Sequence, residues 1–222
     1  VSVASTAMVA RSWGAQQAKQ AEIVTWTSIV ISVALAAVLS IPILLAPEAI
    51  AGIFGLDEET TALAASFIFW LGLFNVFSAI SMMLSTALRA TGNVITPLWF
   101  LLFSSIFNVT FAYLLAFGIG PLPKLGVTGV SLGGSFGASI ITMIFFFAWW
   151  RGHFNLKPTK RKSIDWATSK QMIKIGLPPV AEQGIVQLAF LAFFAIVAHY
   201  GTAAYASYGI GITLVAFPIV IG

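Results

Sequence analysis

Residues 125–150 read LGVTGVSLGGSFGASIITMIFFFAWW, a run without one charged side chain. A helix rises about 1.5 Å per residue, so this run is long enough to cross roughly 30 Å of hydrocarbon. Gly129, Gly133 and Gly137 recur at spacings of four and share one helix face, which Gly134 and Ala138 widen. Such a face lets a second backbone approach closely and reads as a packing surface. It is no phosphate-binding loop, because it has neither a Lys-Ser/Thr pair nor a preceding strand.

On either side of this segment, further runs of spanning length cover about 23–46, 60–88, 95–119 and 173–199, while 1–10 and 203–222 read as pieces of two more. The expected fold is therefore an all-α integral membrane protein, a polytopic helix bundle with five complete spans and two partial ones. The run 60–88 exceeds the hydrocarbon thickness, so tilt or projection into a headgroup layer is expected. Barrel strands are excluded, being alternating segments of about ten residues. Composition agrees: 59% of the 222 residues are apolar and 8% charged, against about 25% charged in soluble domains. With no cysteine, a disulfide framework, a thiolate metal site and a cysteine nucleophile are all ruled out. The chain opens on Val1 without a signal-peptide pattern and stops inside an apolar run at Gly222, which reads as a fragment.

The charges fall in the connections. Arg11 and Lys19 lie in the first, Glu48, Asp57, Glu58 and Glu59 in the second, Arg89 in the third and Lys124 in the fourth. The fifth holds Arg151, Lys157, Lys160, Arg161, Lys162, Lys170 and Lys174 against Asp165. Ten of the eleven bases thus sit in odd-numbered connections, which the positive-inside rule places in the cytoplasm: loops near 11–22, 89–94 and 151–174. The last is the longest connection and reads as a linker between two bundles, with a lipid or nucleic-acid site as the less favoured use of its charge. Trp13, Trp99, Trp149, Trp150 and Trp166 border the spans and read as interface anchors.

Glu182 is the one carboxyl residue far from a connection, eight residues past Lys174 and so roughly 12 Å into its helix. A charge at mid-helix costs about 2.5–3.5 kcal/mol on insertion scales, and such residues usually face a cavity and mark ion or substrate paths. The competing reading is a hydrogen-bonded Glu that ties helices together. Gln183 and Gln187 follow it, and Pro178-Pro179 sits one turn before, where lost amide donors suggest a bend. Asn75 and Asn108 are the other strongly polar residues at depth, each with two readings: an interhelical hydrogen bond or a cavity contact. His199, near the end of its span, reads as an incidental interface residue. No nucleophile-base pair, metal-spaced cluster or nucleotide motif is present, so no enzyme activity, metal site or resident cofactor is expected.

Four local patterns, in order, resemble the multidrug and toxic compound extrusion (MATE) family of cation-coupled transporters. Ala10-Arg11-Ser12-Trp13-Gly14-Ala15 followed by Lys19-Gln20-Ala21 is similar to the end of that family's second span and its first cytoplasmic connection. Leu88-Arg89-Ala90-Thr91-Gly92-Asn93, closed by Thr96-Pro97, resembles the turn between the fourth and fifth spans. Leu125-Gly126-Val127-Thr128-Gly129-Val130 looks like the opening of the sixth. Gly176-Leu177-Pro178 with Glu182-Gln183, then Gly201-Thr202-Ala203-Ala204, resembles the seventh span and the entry to the eighth.

The resemblance implies a twelve-span, two-lobed, inverted-V transporter of which this chain runs from late span two into span eight. Residues 1–150 would be most of the N-terminal lobe, 151–172 the basic cytoplasmic linker and 173–222 the start of the C-terminal lobe. It further implies a multi-pass protein of the cell membrane, monomeric when full length. Its activity would be export of amphipathic, often cationic drugs or metabolites in exchange for sodium ions or protons, by alternating access. Family members with a first-lobe cation site pair an Asn with an Asp four residues on and a Thr on span six. Here Asn108 is kept, but Ala112 and Gly134 stand at the other two positions, so that site is expected to be eroded. Some members place an essential Glu near the position of Val186; Glu182, one turn nearer the cytoplasm, is the expected cation-coupling or substrate-binding residue. Asn75, Asn108, Gln183 and Gln187 are the expected cavity-lining polar residues. Two alternatives stand beside this reading. A lipid-linked oligosaccharide flippase of the same superfamily would be expected to carry bases deep in its spans, and none is found here; a non-transporting membrane scaffold would need Glu182 only as a hydrogen-bonding group.

Overall fold

A computed structural model describes residues 1–52, 58–159 and 165–199, with the side chains of 191 and 194–199 left aside. The expected partial span at 203–222, the Gly201 motif, the His199 side chain, Asp57 and the bases at 160–162 lie outside the described residues. Among the described residues seven helices follow in order: α1 (Ser2–Gly14), α2 (Ala18–Leu45), α3 (Pro47–Gly52), α4 (Glu58–Ala90), α5 (Ile95–Phe117), α6 (Gly126–Trp150) and α7 (Trp166–His199). The chain forms two compact units, Val1–Ile175 and Gly176–Gly222.

Among the described residues, four helices, α2, α4, α5 and α6, are long and apolar enough to cross a membrane. The fifth expected span, 173–199, is helical throughout, but it is not among these four: Lys174, Glu182, Gln183 and Gln187 dilute the apolar character of its described part. Outward faces confirm the solvent. On α5 the most apolar stretch has no buried residue, and Leu98, Leu101, Leu102, Val109, Tyr113 and Phe117 are all exposed. A contiguous apolar face of that size is a liability in water and ordinary in lipid.

The connections explain where the helices stop. Gln16 takes a positive φ of 58°, and Gln17 N–H donates to Ser12 C=O at 2.9 Å, which turns the chain from α1 into α2. Pro42 lies inside the last turn of α2 and Pro47 opens α3, a position where a missing amide costs nothing. The α4–α5 turn uses Gly92 at φ 86°, while Asn93 N–H donates to Leu88 C=O at 3.1 Å in the crossed pattern typical of a glycine-ended helix. Asn93 Oδ1 then accepts from Thr96 N–H at 3.1 Å and covers an open amide of α5.

In unit 1 the buried core gathers at the end that carries the basic connections. Met8 and Val9 of α1, Ala21 and Val24 of α2, Leu84, Ala87 and Leu88 of α4, and Phe145 and Trp149 of α6 all meet there. The linker contributes too. Leu156 is buried, and Phe154 packs edge-on against Phe100 and Phe145, which stack at 4.1 Å. Asp165 caps α7 by accepting from Thr168 N–H at 3.2 Å and from the Thr168 hydroxyl. The first turns of α7 then bury Thr168, Ser169 and Met172, and Ser28 Oγ approaches Met172 Sδ at 3.7 Å.

Two expectations change, while the bend expected at Pro178-Pro179 falls within a helix that runs on. Trp149 is no interface anchor: it is fully buried against Trp26, Phe146 and Trp150, because it sits on the inward face of α6 while Trp150 turns outward. The helix of the fifth span starts at Trp166 rather than 173, since a polar face with an acidic cap extends it into the linker. The Pro178-Pro179 pair does not interrupt α7, which runs through both residues. Two adjacent prolines leave the carbonyls of Lys174 and Ile175 without helical donors, yet the backbone angles that proline fixes are helical ones.

Candidate functional site

One polar feature of unit 1 follows from the glycine face of α6, although its Asn108 is an exposed residue. A Cβ built on Gly129 would strike the Leu115 carbonyl, one on Gly133 the Phe111 carbonyl, and one on Gly137 would lie 2.5 Å from the Phe107 carbonyl. The partners step backwards along α5 by four as the glycines step forwards by four, which is the register of an antiparallel pair in backbone contact. Gly134, offset by one residue, faces Asn108: its Cβ would lie 2.9 Å from Asn108 Nδ2. Asn108 and Gly134, the positions that the sequence resemblance put together, are therefore neighbours across this seam. The side chain that a Thr would supply is missing, and with Ala112 one turn from Asn108 the seam offers a single amide. No Asp or Glu occurs anywhere in 95–150.

Asn75 stands on α4, half-buried. Its Nδ2 donates to Ser40 Oγ on α2 at 3.4 Å, and it lines a groove of about 350 Å³ with Ser32, Ser78, Leu39 and Met82. Ser66 and Thr128 join α4 to α6 with a 3.1 Å hydroxyl contact. Ser40, Ser66 and Thr128 were missed by sequence reasoning because a lone hydroxyl in a span normally bonds its own helix, as Thr25 and Ser28 do. Their only signal is a small polar residue at a helix contact.

Glu182, Gln183 and Gln187 belong to unit 2. All three are exposed on α7, with Gln183 and Gln187 one turn apart on one face. Asn75 and Asn108 stand on different helices of unit 1, each with its own neighbour. Among the described residues no group of three or more His, Asp or Glu could hold a metal ion. What the arrangement offers is one exposed carboxyl group on α7, with two exposed amides on a different face of the same helix.

Comparison with known proteins identifies the relatives. The family model described as MatE matches residues 1–114. A probable multidrug resistance protein NorM of Thermotoga maritima is 25% identical over 96% of this chain and 46% of its own length. The multidrug export protein MepA of Staphylococcus aureus is 27% identical over 95% of this chain and 46% of its own. The chain thus spans about half the length of the curated relatives it matches. Among solved structures, a crystal structure of a mutant MATE superposes with a TM-score of 0.85 at 17% identity, over 99% of this chain and 49% of that one. An inward-facing multidrug resistance MATE family transporter superposes with a TM-score of 0.68 at 21% identity, over 80% and 40%. These likenesses carry the fold.

Proposed function

Since this chain belongs to the MatE family, we propose that the whole protein is a secondary transporter that exports amphipathic, often cationic solutes in exchange for sodium ions or protons. Relatives that carry multidrug resistance or multidrug export in their names support the solute class. The feature that carries the coupling is Glu182: it is the one carboxyl residue that the sequence puts far from a connection and the last acid of the sequence, and an uncompensated charge at mid-helix in a membrane costs about 2.5–3.5 kcal/mol. A cation, whether a proton, sodium or the solute itself, removes that cost. A carboxylate that serves two cations in turn exchanges one for the other.

The seam between α5 and α6 argues for the same division of labour. It keeps Asn108 but presents Gly134 and Ala112 where a hydroxyl and a carboxylate would complete a cation site. Coupling then falls to the second lobe. In this reading residues 1–150 belong to the first lobe, 151–172 connect the lobes on the cytoplasmic side, and 173–222 open the second; the two lobes rock around a central cavity, and the protein works as a monomer.

The test is solute flux in sealed proteoliposomes that contain the full-length protein. Efflux of a cationic dye driven by an imposed sodium or proton gradient is expected, with no flux after the gradient is collapsed. A dye flux indifferent to both gradients, or none at all from folded protein, contradicts the proposal.

A further inference from the structure

Unit 1 carries a second polar site, lined by neither Asn75 nor Asn108. A groove of about 390 Å³ opens where α1 ends, α2 begins and α7 starts. Its polar wall is made by Arg11, Ser12, Gln17, Gln20 and Gln171. Met8, Ala15 and Val24 supply an apolar side. We propose that this groove binds the phosphodiester headgroup of an anionic membrane lipid, with the first part of an acyl chain against the apolar side.

Four observations support it. The groove has one cation and no carboxylate among its lining residues; Glu22, two positions beyond Gln20, is not part of it. Ser12 is only 9% exposed; its hydroxyl makes no hydrogen bond among the described residues and is not fully enclosed, so it keeps open surface beside the groove it lines. The side chains of Arg11, Gln17, Gln20 and Gln171, all exposed, likewise make no hydrogen bond among the described residues, so a guanidinium, a hydroxyl and three amides border one space with their donors open to a ligand. The groove also lies at the start of α2, a 28-residue helix whose first amides are open: Gln20 and Ala21 N–H already turn back to Gln17 C=O, while the amides of Ala18 and Lys19 precede that bond and have no helical acceptor. Open amides at a helix start favour an anion.

The choice of a lipid over a free anion rests on the apolar side and on depth. Phosphate alone has no use for Met8 and Val24, whereas a lipid needs polar and apolar walls together. Trp13, half-buried two residues from Arg11, is of the residue type that settles at headgroup level. The proposal rests on the membrane reading of the fold and is independent of transport.

Native mass spectrometry of the purified full-length protein, with phosphatidylglycerol or phosphatidylcholine added, reads this out without a transport assay. Phosphatidylglycerol should be retained in preference to phosphatidylcholine. Arg11→Gln should lower that retention about fivefold, the weight of one basic residue at an anionic surface. Ser12→Ala should lower it in the same direction, Lys157→Gln should leave it unchanged, and millimolar inorganic phosphate should not displace the lipid. If Arg11→Gln fails to fold, Gln171→Leu, an exposed position, takes its place. Equal retention of both lipids, equal loss in Arg11→Gln and Lys157→Gln, or ready displacement by inorganic phosphate would each overturn the assignment, the last by showing a free-anion site.

Discussion

Gly137→Ala is a sharp structural perturbation of the α5–α6 seam. The added methyl carbon would lie 2.5 Å from the Phe107 carbonyl oxygen and 3.1 Å from Phe111 Cδ2. Ordinary contact begins at 3.4 Å, so α5 and α6 must separate by about 0.9 Å at this level. The obstacle is backbone rather than a side-chain tip, and no rotamer change relieves it. The separation also loosens the contacts of Gly133 and Gly129 in the same register, where dispersion falls off steeply over such a gap. Overpacking of this kind costs typically about 1–3 kcal/mol, and we expect the upper half of that range because three levels move together. The assay is reversible unfolding in mixed micelles with increasing sodium dodecyl sulfate. Gly14→Ala is the control, since a Cβ there meets nothing within 4 Å. If Gly137→Ala and Gly14→Ala differ by less than about 0.5 kcal/mol, the backbone-contact seam is wrong.

Two further substitutions test the packing at the basic end. Phe145→Ala removes a fully buried ring stacked at 4.1 Å on Phe100 and should cost about 3 kcal/mol or more in the same assay; it should also raise protease sensitivity near Phe154, which packs on that ring. Asp165→Ala removes the cap of α7 and should cost about 1 kcal/mol, with Asp165→Asn retaining most of the stability because an amide oxygen still accepts.

Spans were legible because their signal is one of length. The expected 95–119 and 125–150 became Ile95–Phe117 and Gly126–Trp150. Boundaries slipped where a helix outruns its apolar run: α2 starts at Ala18, taking in Lys19, Gln20 and Glu22, and α7 starts seven residues early on its Asp165 cap. The six-residue α3 was invisible, as a Pro-initiated turn carries no periodicity. Burial of Leu156 and Trp149 was also hidden, for hydropathy does not distinguish lipid from protein as the neighbour of an apolar side chain. The glycine face on α6 could be read from spacing, but its partner on α5 could not. That Asn108 and Gly134 are neighbours was available only through the family resemblance. Glu182 stood out by cost alone, an argument that gives its depth but not what it faces.

Exchange at Glu182 is best examined by comparing Glu182→Gln with the unchanged full-length protein in proteoliposomes, following coupled cation uptake and solute export together. Gln keeps the shape and hydrogen-bonding capacity while removing the charge that a cation would neutralise, so the fold should persist. We predict that both fluxes are lost while the unfolding midpoint in detergent holds or rises. Cation uptake and solute export that both continue at the unchanged rate would contradict the role assigned to Glu182.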